Sequence, residues 1–407
     1  MKKQAVITLP LLTLILLISF GSVCAVLFTP GLPAIAKYFN TSMSDAQLTV
    51  TLFLVGYAFG QLIYGPLANR FGRKPTLYLG ISLEIIAALL CILAAAMHAF
   101  WLFVGARLLM ALGAGAGLKM TFTLIGDVYP QQQATRIISY LILAFAITPG
   151  LGVSLGGVLV EQISWQSCFY VLAGYGVLLL WLCSRLPETA VSLDSQALNA
   201  RLILRSYLKQ LGNLQLINCA LLVGCGTAIV YIFASLAPFL AIDVLRLNPS
   251  QYGLYNLLPP IGMLLGSVAA MYLVEKLSAE QTIGLGLAVA LLGETIMFGA
   301  SLWGYLSATV LFLPMIIIYA GLSLVFANAA SMATSQATNK AYASAMMNFI
   351  NMSFSVVCVF LVGWLPSNSM LILSALFLGL GLLAAGGYLL MMLKSKSYPV
   401  LPKLMQN

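Results

Sequence analysis

The chain has 407 residues, 61% of them hydrophobic and 7% charged, with a formal net charge of +9 and a mean hydropathy of +1.02. So few charges cannot cover the surface of a water-soluble domain of this size, which excludes that class of fold. Apolar runs of 20 or more residues recur along the chain, each long enough to cross about 30 Å of hydrocarbon as a helix.

In chain order the hydropathy pattern predicts twelve spans, at 5–28, 46–66, 76–97, 100–126, 136–160, 164–185, 214–241, 251–274, 281–302, 305–332, 342–365 and 369–393. The fold class expected is an all-α membrane protein with twelve transmembrane helices in two six-helix bundles. Met1-Lys2-Lys3 followed by an apolar run resembles a secretory signal, but the run to Cys24 is too long for one. The first span is therefore expected to stay uncleaved. With the N-terminus inside, all Lys and Arg except Lys37, Arg246, Arg107 and Lys119 fall on the cytoplasmic side. That is the positive-inside bias, so the net charge reflects topology and not nucleic-acid binding. The seven cysteines show neither metal spacing nor a disulfide framework and read as small packing residues.

Residues 187–213 form the one long polar segment and divide the chain into an N-terminal bundle, 1–186, and a C-terminal bundle, 214–393. Within the divider, Leu198, Leu202, Leu204 and Leu208 beside Arg201, Arg205 and Lys209 predict a short amphipathic helix at the membrane surface. Residues 394–407, with Lys394, Lys396 and Lys403, read as a cytoplasmic tail.

Between the second and third spans lies Gly65-Pro66-Leu67-Ala68-Asn69-Arg70-Phe71-Gly72-Arg73-Lys74. It resembles the loop G-x-L-[AS]-D-R-x-G-R-[KR] of major facilitator superfamily transporters. Phe28 to Ala36, Arg107 to Gly113, Thr148 to Gly157, Ser235 to Phe239 and Ala343 to Ala345 are similar to segments of the twelve-helix drug:proton antiporters, most closely the Bcr/CflA type. The resemblance implies a multi-pass transporter of a bacterial inner membrane, with both termini cytoplasmic, exchanging solute by rocking of two bundles. It also implies a latch at Gly65, Asn69, Arg70, Gly72 and Arg73, and a hinge or seal at Pro149, Gly152 and Gly156. Ordinary small-residue packing is the other reading of those helical glycines. Four positions depart from the pattern: Val26 replaces an acid, Met110 a Gln, Val153 a Pro and Asn69 an Asp. Asn69 can hydrogen-bond but offers no full charge, so a weaker latch is expected.

Ionisable side chains at membrane depth are functional candidates, because each needs a partner or water. Glu84, Glu294 and Asp127 are candidates for proton coupling; a neutral Glu bonded to nearby backbone is the alternative for the first two. Arg107 is either a clamp for a substrate carboxylate or a tie from its helix to the backbone of the first span. Lys119 lies about 18 Å further along that helix; it either contacts cargo or pairs with Glu84. Pro259-Pro260 should interrupt the eighth span and free carbonyls toward the interior. Sparse polar groups among aromatics make Tyr57, Gln61, Tyr231, Phe233, Tyr255, Asn256, Tyr319, Asn328, Asn348 and Asn351 candidate cavity residues.

No Walker A, zinc-binding or nucleophile–base motif is present, so an enzyme is not expected. The expected function is secondary transport of a small molecule, coupled to protons, by a monomer in the lipid bilayer with no cofactor. Loss of the acid at Val26 and the presence of Lys119 favour an anionic or carboxylate-bearing cargo such as a siderophore or metabolite. A broad-specificity drug:proton antiporter is the alternative.

Overall fold

The computed structural model describes residues 9–190, 192–335, 337, 340–365 and 369–397. The N-terminal Lys2 and Lys3, and Lys403 of the tail, lie outside the described residues. The first half contains α1 (Leu11–Val26), α2 (Leu32–Tyr38), α3 (Met43–Phe71), α4 (Arg73–Ala96), α5 (Phe100–Val128), α6 (Gln131–Gln162) and α7 (Ser167–Ser184). The divider holds α8 (Ala200–Gln210). The second half contains α9 (Leu214–Phe239), α10 (Pro249–Tyr255), α11 (Leu258–Leu273), α12 (Ala279–Leu302), α13 (Ala308–Ser335), α14 (Lys340–Val362) and α15 (Met370–Ser397). Among the described residues twelve segments are long and apolar enough to cross a membrane, with α1 and α2 making the first (Leu11–Tyr38) and α10 and α11 the eighth (Pro249–Leu273). The face that bears α8 is called the linker face below, and the other the distal face.

The second crossing ends five residues later than the hydropathy reading and the fifth begins five earlier, and two further crossings change helix type on the way. The first runs to Tyr38, ten residues beyond the expected end at 28. Thr29–Gly31 form one 3₁₀ turn, and Pro33 then sits in the first turn of α2, where its missing N–H breaks no hydrogen bond. The seventh ends in a π-turn at Leu240–Val244. The expected interruption of the eighth is present: the helix breaks between Tyr255 and Leu258, with Pro259 and Pro260 opening α11. The side-chain amide of Asn256 donates to the Tyr252 carbonyl at 2.8 Å across that break.

Small residues let the backbones approach, the usual route to tight packing where lipid removes the hydrophobic drive between helices. Gly113 on α5 faces the backbone of Gly80 and Glu84 on α4; Gly321 on α13 faces Gly286 and Ala290 on α12 in the same way. The two halves meet along α3 with α14 and along α6 with α10 and α11. The α6 contact is distal: Gly157 abuts the Pro249 carbonyl, Gly253 the Ser154 backbone, and Gly150 the ring of Pro260.

Gly156 and Gly152 lie on the same helix but differ in what a methyl would meet. At Gly156 it would overlap the Leu27 carbonyl oxygen, whereas at Gly152 it would sit 3.4 Å from Val26 Cγ2, an ordinary contact. Gly156→Ala should therefore destabilise the purified protein by roughly 1–3 kcal/mol through forced separation of α1 and α6. Gly152→Ala should leave the thermal midpoint nearly unchanged in the same detergent.

Candidate functional site

A cavity of about 360 Å³ lies between the halves. Val26, Thr29, Val153 and Tyr252 close it toward the distal face, and its wall continues to Leu118, Phe326, Ala330 and Met347 in the linker-side parts of α5, α13 and α14. Among the described residues its lining carries no charged side chain. Polar groups are few and spread over several helices: Ser22, Thr29, Tyr57, Thr227, Tyr231, Tyr252, Asn256, Tyr319 and Asn351. Aromatic and sulfur-containing side chains fill the gaps between them, including Phe145, Phe233, Met263 and Met352.

Of the residues expected from sequence, Tyr57, Tyr231, Phe233, Asn256, Tyr319 and Asn351 line this space. Gln61, Tyr255, Asn328 and Asn348 do not. Gln61 is buried on α3, Tyr255 stacks on Phe312 with ring centroids 5.2 Å apart, and the Asn328 amide donates to Leu324 O of its own helix at 2.8 Å. Helical periodicity could have added Thr227, one turn before Tyr231. Tyr252 and Thr29 come to the cavity only because their spans are broken.

Arg107 is not in the wall. It is fully buried, with its guanidinium carbon 4.0 Å from the Phe28 ring centroid and 4.4 Å from that of Phe53. Its nitrogens donate to Cys24 O at 2.8 Å, Thr49 O at 3.4 Å and Ala25 O at 3.5 Å, and to Met110 Sδ at 3.1 Å. Of the two readings of Arg107, these contacts match the tie, which joins α5 to α1 and also to α3. A planar cation suits this place because it can be faced by rings and rimmed by carbonyls at once.

Cys24, read from sequence as a packing residue, joins two buried ionisable groups. Its carbonyl accepts from Arg107, and its thiol donates to Glu84 Oε1 at 3.6 Å. The other carboxylate oxygen of Glu84 is buried, has no hydrogen-bond partner among the described residues and faces Gly176 on α7. Glu294 repeats the theme in the second half: fully buried against Gly381 on α15, with neither oxygen partnered among the described residues. The Lys119–Glu84 pair is not formed. Glu84 packs level with Gly113, six residues before Lys119 and about 9 Å away along α5. The Lys119 side chain packs instead beside Gly65, where a Cβ would lie 3.5 Å from its Cε.

Residues 11–360 match the Major Facilitator Superfamily. The chain belongs to that superfamily. It is 29% identical over 293 residues to an uncharacterized transporter of Rickettsia bellii, covering 71% of each chain. It is 25% identical over 267 residues to a bicyclomycin resistance protein homolog of Haemophilus influenzae, covering 65% of this chain and 66% of that one. A crystal structure of a D-xylose-proton symporter superposes with a TM-score of 0.76 at 16% identity, covering 93% of this chain and 96% of the other. The relatives agree with the drug:proton antiporter branch of the superfamily, and the transporter is not an enzyme.

The transporter's α3–α4 corner on the linker face is a network of charges. Arg73 Nε pairs with Asp127 Oδ2 at 2.8 Å, and Thr189 Oγ1 donates to the same oxygen at 2.8 Å. Asp127, a candidate for proton coupling, is held by both partners near the end of α5. Glu188 caps α4 by accepting from the backbone N–H of Arg73 at 2.9 Å and Lys74 at 3.0 Å, where the helix dipole favours an anion. Gly72 has φ of +97°, and a Cβ there would also press on the Glu188 carboxylate, so only glycine suits both demands. Arg70 is half-buried and Asn69 exposed at the end of α3; the Asn69 carbonyl accepts from Asp194 N at 2.9 Å. On the distal face, Lys37 pairs with Asp243 at 3.5 Å and Glu161 accepts from Ser250 N at 2.9 Å, each linking one half to the other. The Ser44 hydroxyl adds a third link by donating to the Gly363 carbonyl.

Removing Arg107 should act on stability and leave cavity contacts in place. Arg107→Ala should cost roughly 2–4 kcal/mol, from emptied carbonyls and vacated space, read as a fall in the thermal midpoint of purified protein. A loss of cargo affinity with an unchanged midpoint would contradict the tie. At the corner, burial alone would raise the Glu188 carboxyl, but the N–H groups of Ala190, Arg73, Lys74 and Thr189 together outweigh it and hold it below the usual carboxylate range. Its contribution is therefore full above the unfolded value of about 4.3 and is lost as pH falls through the lower folded value. Thermal midpoints measured against pH should show an acid-side decline that is shallower in Glu188→Gln.

Proposed function

We propose that this transporter is a proton-coupled exporter of lipophilic, uncharged or weakly polar compounds, working by alternating access in a bacterial inner membrane. The observation that carries the reading is the interbundle cavity, which is apolar, rimmed by tyrosines and amides, and without a charged side chain among the described residues. Its volume falls in the range of small-molecule sites, and its sparse polar groups suit orientation of varied cargo over strict recognition. The Haemophilus relative's name, a bicyclomycin resistance protein homolog, agrees with such cargo. By the positive-inside rule the linker face is cytoplasmic, so the distal links close the outer side and the conformation is the inward-facing one.

Glu84 is the group that fits proton coupling. It reaches α1 through the Cys24 thiol, and the same helix turns Ser22, Ala25 and Val26 into the cavity. A proton gained or lost at Glu84 would alter its hold on Cys24 and so on a cavity wall, with the Arg107 charge bonded to the same residue. Glu294 has no such connection. Gly65, Asn69, Arg70, Gly72 and Arg73, with Pro149, Gly152 and Gly156, would move as the rocking elements, Asn69 giving a weak latch for lack of charge.

Anionic cargo is the second reading, and one observation favours it: the Lys119 ammonium has no hydrogen bond or ion pair among the described residues. Arg107, however, is already committed to carbonyls. Proteoliposomes with an imposed pH gradient separate the two. A neutral lipophilic drug should be moved faster with the gradient, and Glu84→Gln should remove that acceleration while binding persists. Glu294→Gln should leave it intact. Transport confined to carboxylates and abolished by Lys119→Ala would overturn the proposal.

A further inference from the structure

The divider helix α8 has three faces of different character. Ile203, Tyr207 and Gln210 turn toward the protein, where Tyr207 is 7% and Gln210 8% exposed. Leu204, Leu208 and Leu211 form a second stripe that is exposed by 42–59%. Arg201, Arg205 and Lys209, four residues apart, form a third stripe beside the leucines on a helix of 3.6 residues per turn. Residues 195–213 contain no acidic side chain, and among the described residues none of the three cations is paired with a carboxylate. A shallow surface hollow is lined by all three together with Leu204, Ser206 and Leu208.

Exposed leucines next to an unpaired row of cations make a surface that belongs neither in water nor in hydrocarbon. It fits the boundary between them, with apolar side chains entering the acyl region and cations at the level of phosphates. The location agrees, since α8 is bonded to membrane-crossing helices. Tyr207 Oη donates to Leu62 O on α3 at 3.0 Å, and the Tyr207 ring meets Tyr342 on α14 edge-on with centroids 5.2 Å apart. Tyr207 therefore touches both halves of the transporter at once.

We propose that α8 is a binding site for anionic phospholipid headgroups, and that a lipid held there stabilises the conformation closed at the distal face. Charge complementarity selects the occupant: Arg201, Arg205 and Lys209 supply three adjacent positive charges, and the leucines call for acyl chains that a free anion lacks. Occupancy fixes α8, and α8 through Tyr207 fixes α3 against α14. The inference is independent of cargo and of proton coupling.

Native mass spectrometry of the full-length protein, released from mixtures of phosphatidylglycerol and phosphatidylcholine, tests the site. The wild type should retain phosphatidylglycerol preferentially, and each Gln substitution at Arg201, Arg205 or Lys209 should reduce that preference about fivefold. The pair Arg201→Lys and Arg205→Lys keeps the charge and should keep the preference, which separates charge from damage to the helix. Inorganic phosphate should not compete; competition would make the site one for free anions and overturn the lipid assignment. An acidic peptide displacing the lipid at equal concentration would overturn it as well. Spin-label distances across the distal face should shorten in phosphatidylglycerol vesicles relative to phosphatidylcholine for the wild type only. A shift of the same size in the triple Gln variant would sink the conformational part.

Discussion

A bilayer interior contains no water to solvate a stray polar group, so each must be satisfied by the protein itself. The Arg107 site shows how far that requirement reaches. One guanidinium draws carbonyls from α1 and α3, a thioether from its own helix and two aromatic faces. Those contacts fix the mutual positions of three helices that frame the N-terminal side of the cavity. They also engage four of its five N–H groups before cargo arrives, which is why a cation so close to the cavity leaves the wall uncharged. Glu84 and Glu294 stand out by the same requirement, because each keeps at least one buried oxygen without a partner. Of the two, only Glu84 has a thiol to engage and a route to the cavity helix.

The crossings were legible in the sequence because hydrocarbon length and helix rise leave little freedom. The exception was the stretch from Thr29 to Pro33, where prolines resemble a stop and instead begin a new helix. Cavity residues were partly legible. A tyrosine or amide in an apolar span is conspicuous, and Tyr57, Tyr231, Tyr319, Asn256 and Asn351 reached the cavity. Asn328 is equally conspicuous but bonds its own helix, a choice that rotation of the helix decides and composition does not. Arg107 was visible as an anomaly, whereas its surroundings were not: Phe28 and Phe53 come from other helices, and the oxygens that hold it belong to backbone. Glu188 was hidden for a related reason, since the helix it caps begins 115 residues earlier.

The two halves use the same packing device at the α4–α5 and α12–α13 contacts, with glycine against backbone at matching places. Other features differ between them. The first half holds the buried cation and the bonded carboxyl, and its loop corner is fastened by Arg73, Asp127 and Glu188. Each half also contributes a broken crossing to the cavity wall, at Thr29–Gly31 in the first and between Tyr255 and Leu258 in the second, beside Tyr252 and Asn256.

The distal closure has an electrical character that the cavity lacks. Its ion pair joins a Lys37 side chain that is 77% exposed to an Asp243 side chain that is 23% exposed, a geometry weakened by dissolved ions over distances of about 8–10 Å. The bias toward the closed form is then set in part by the salinity of whatever fluid bathes that face. A link built this way holds more firmly in dilute surroundings and loosens in brine, by the small amount that an exposed pair contributes.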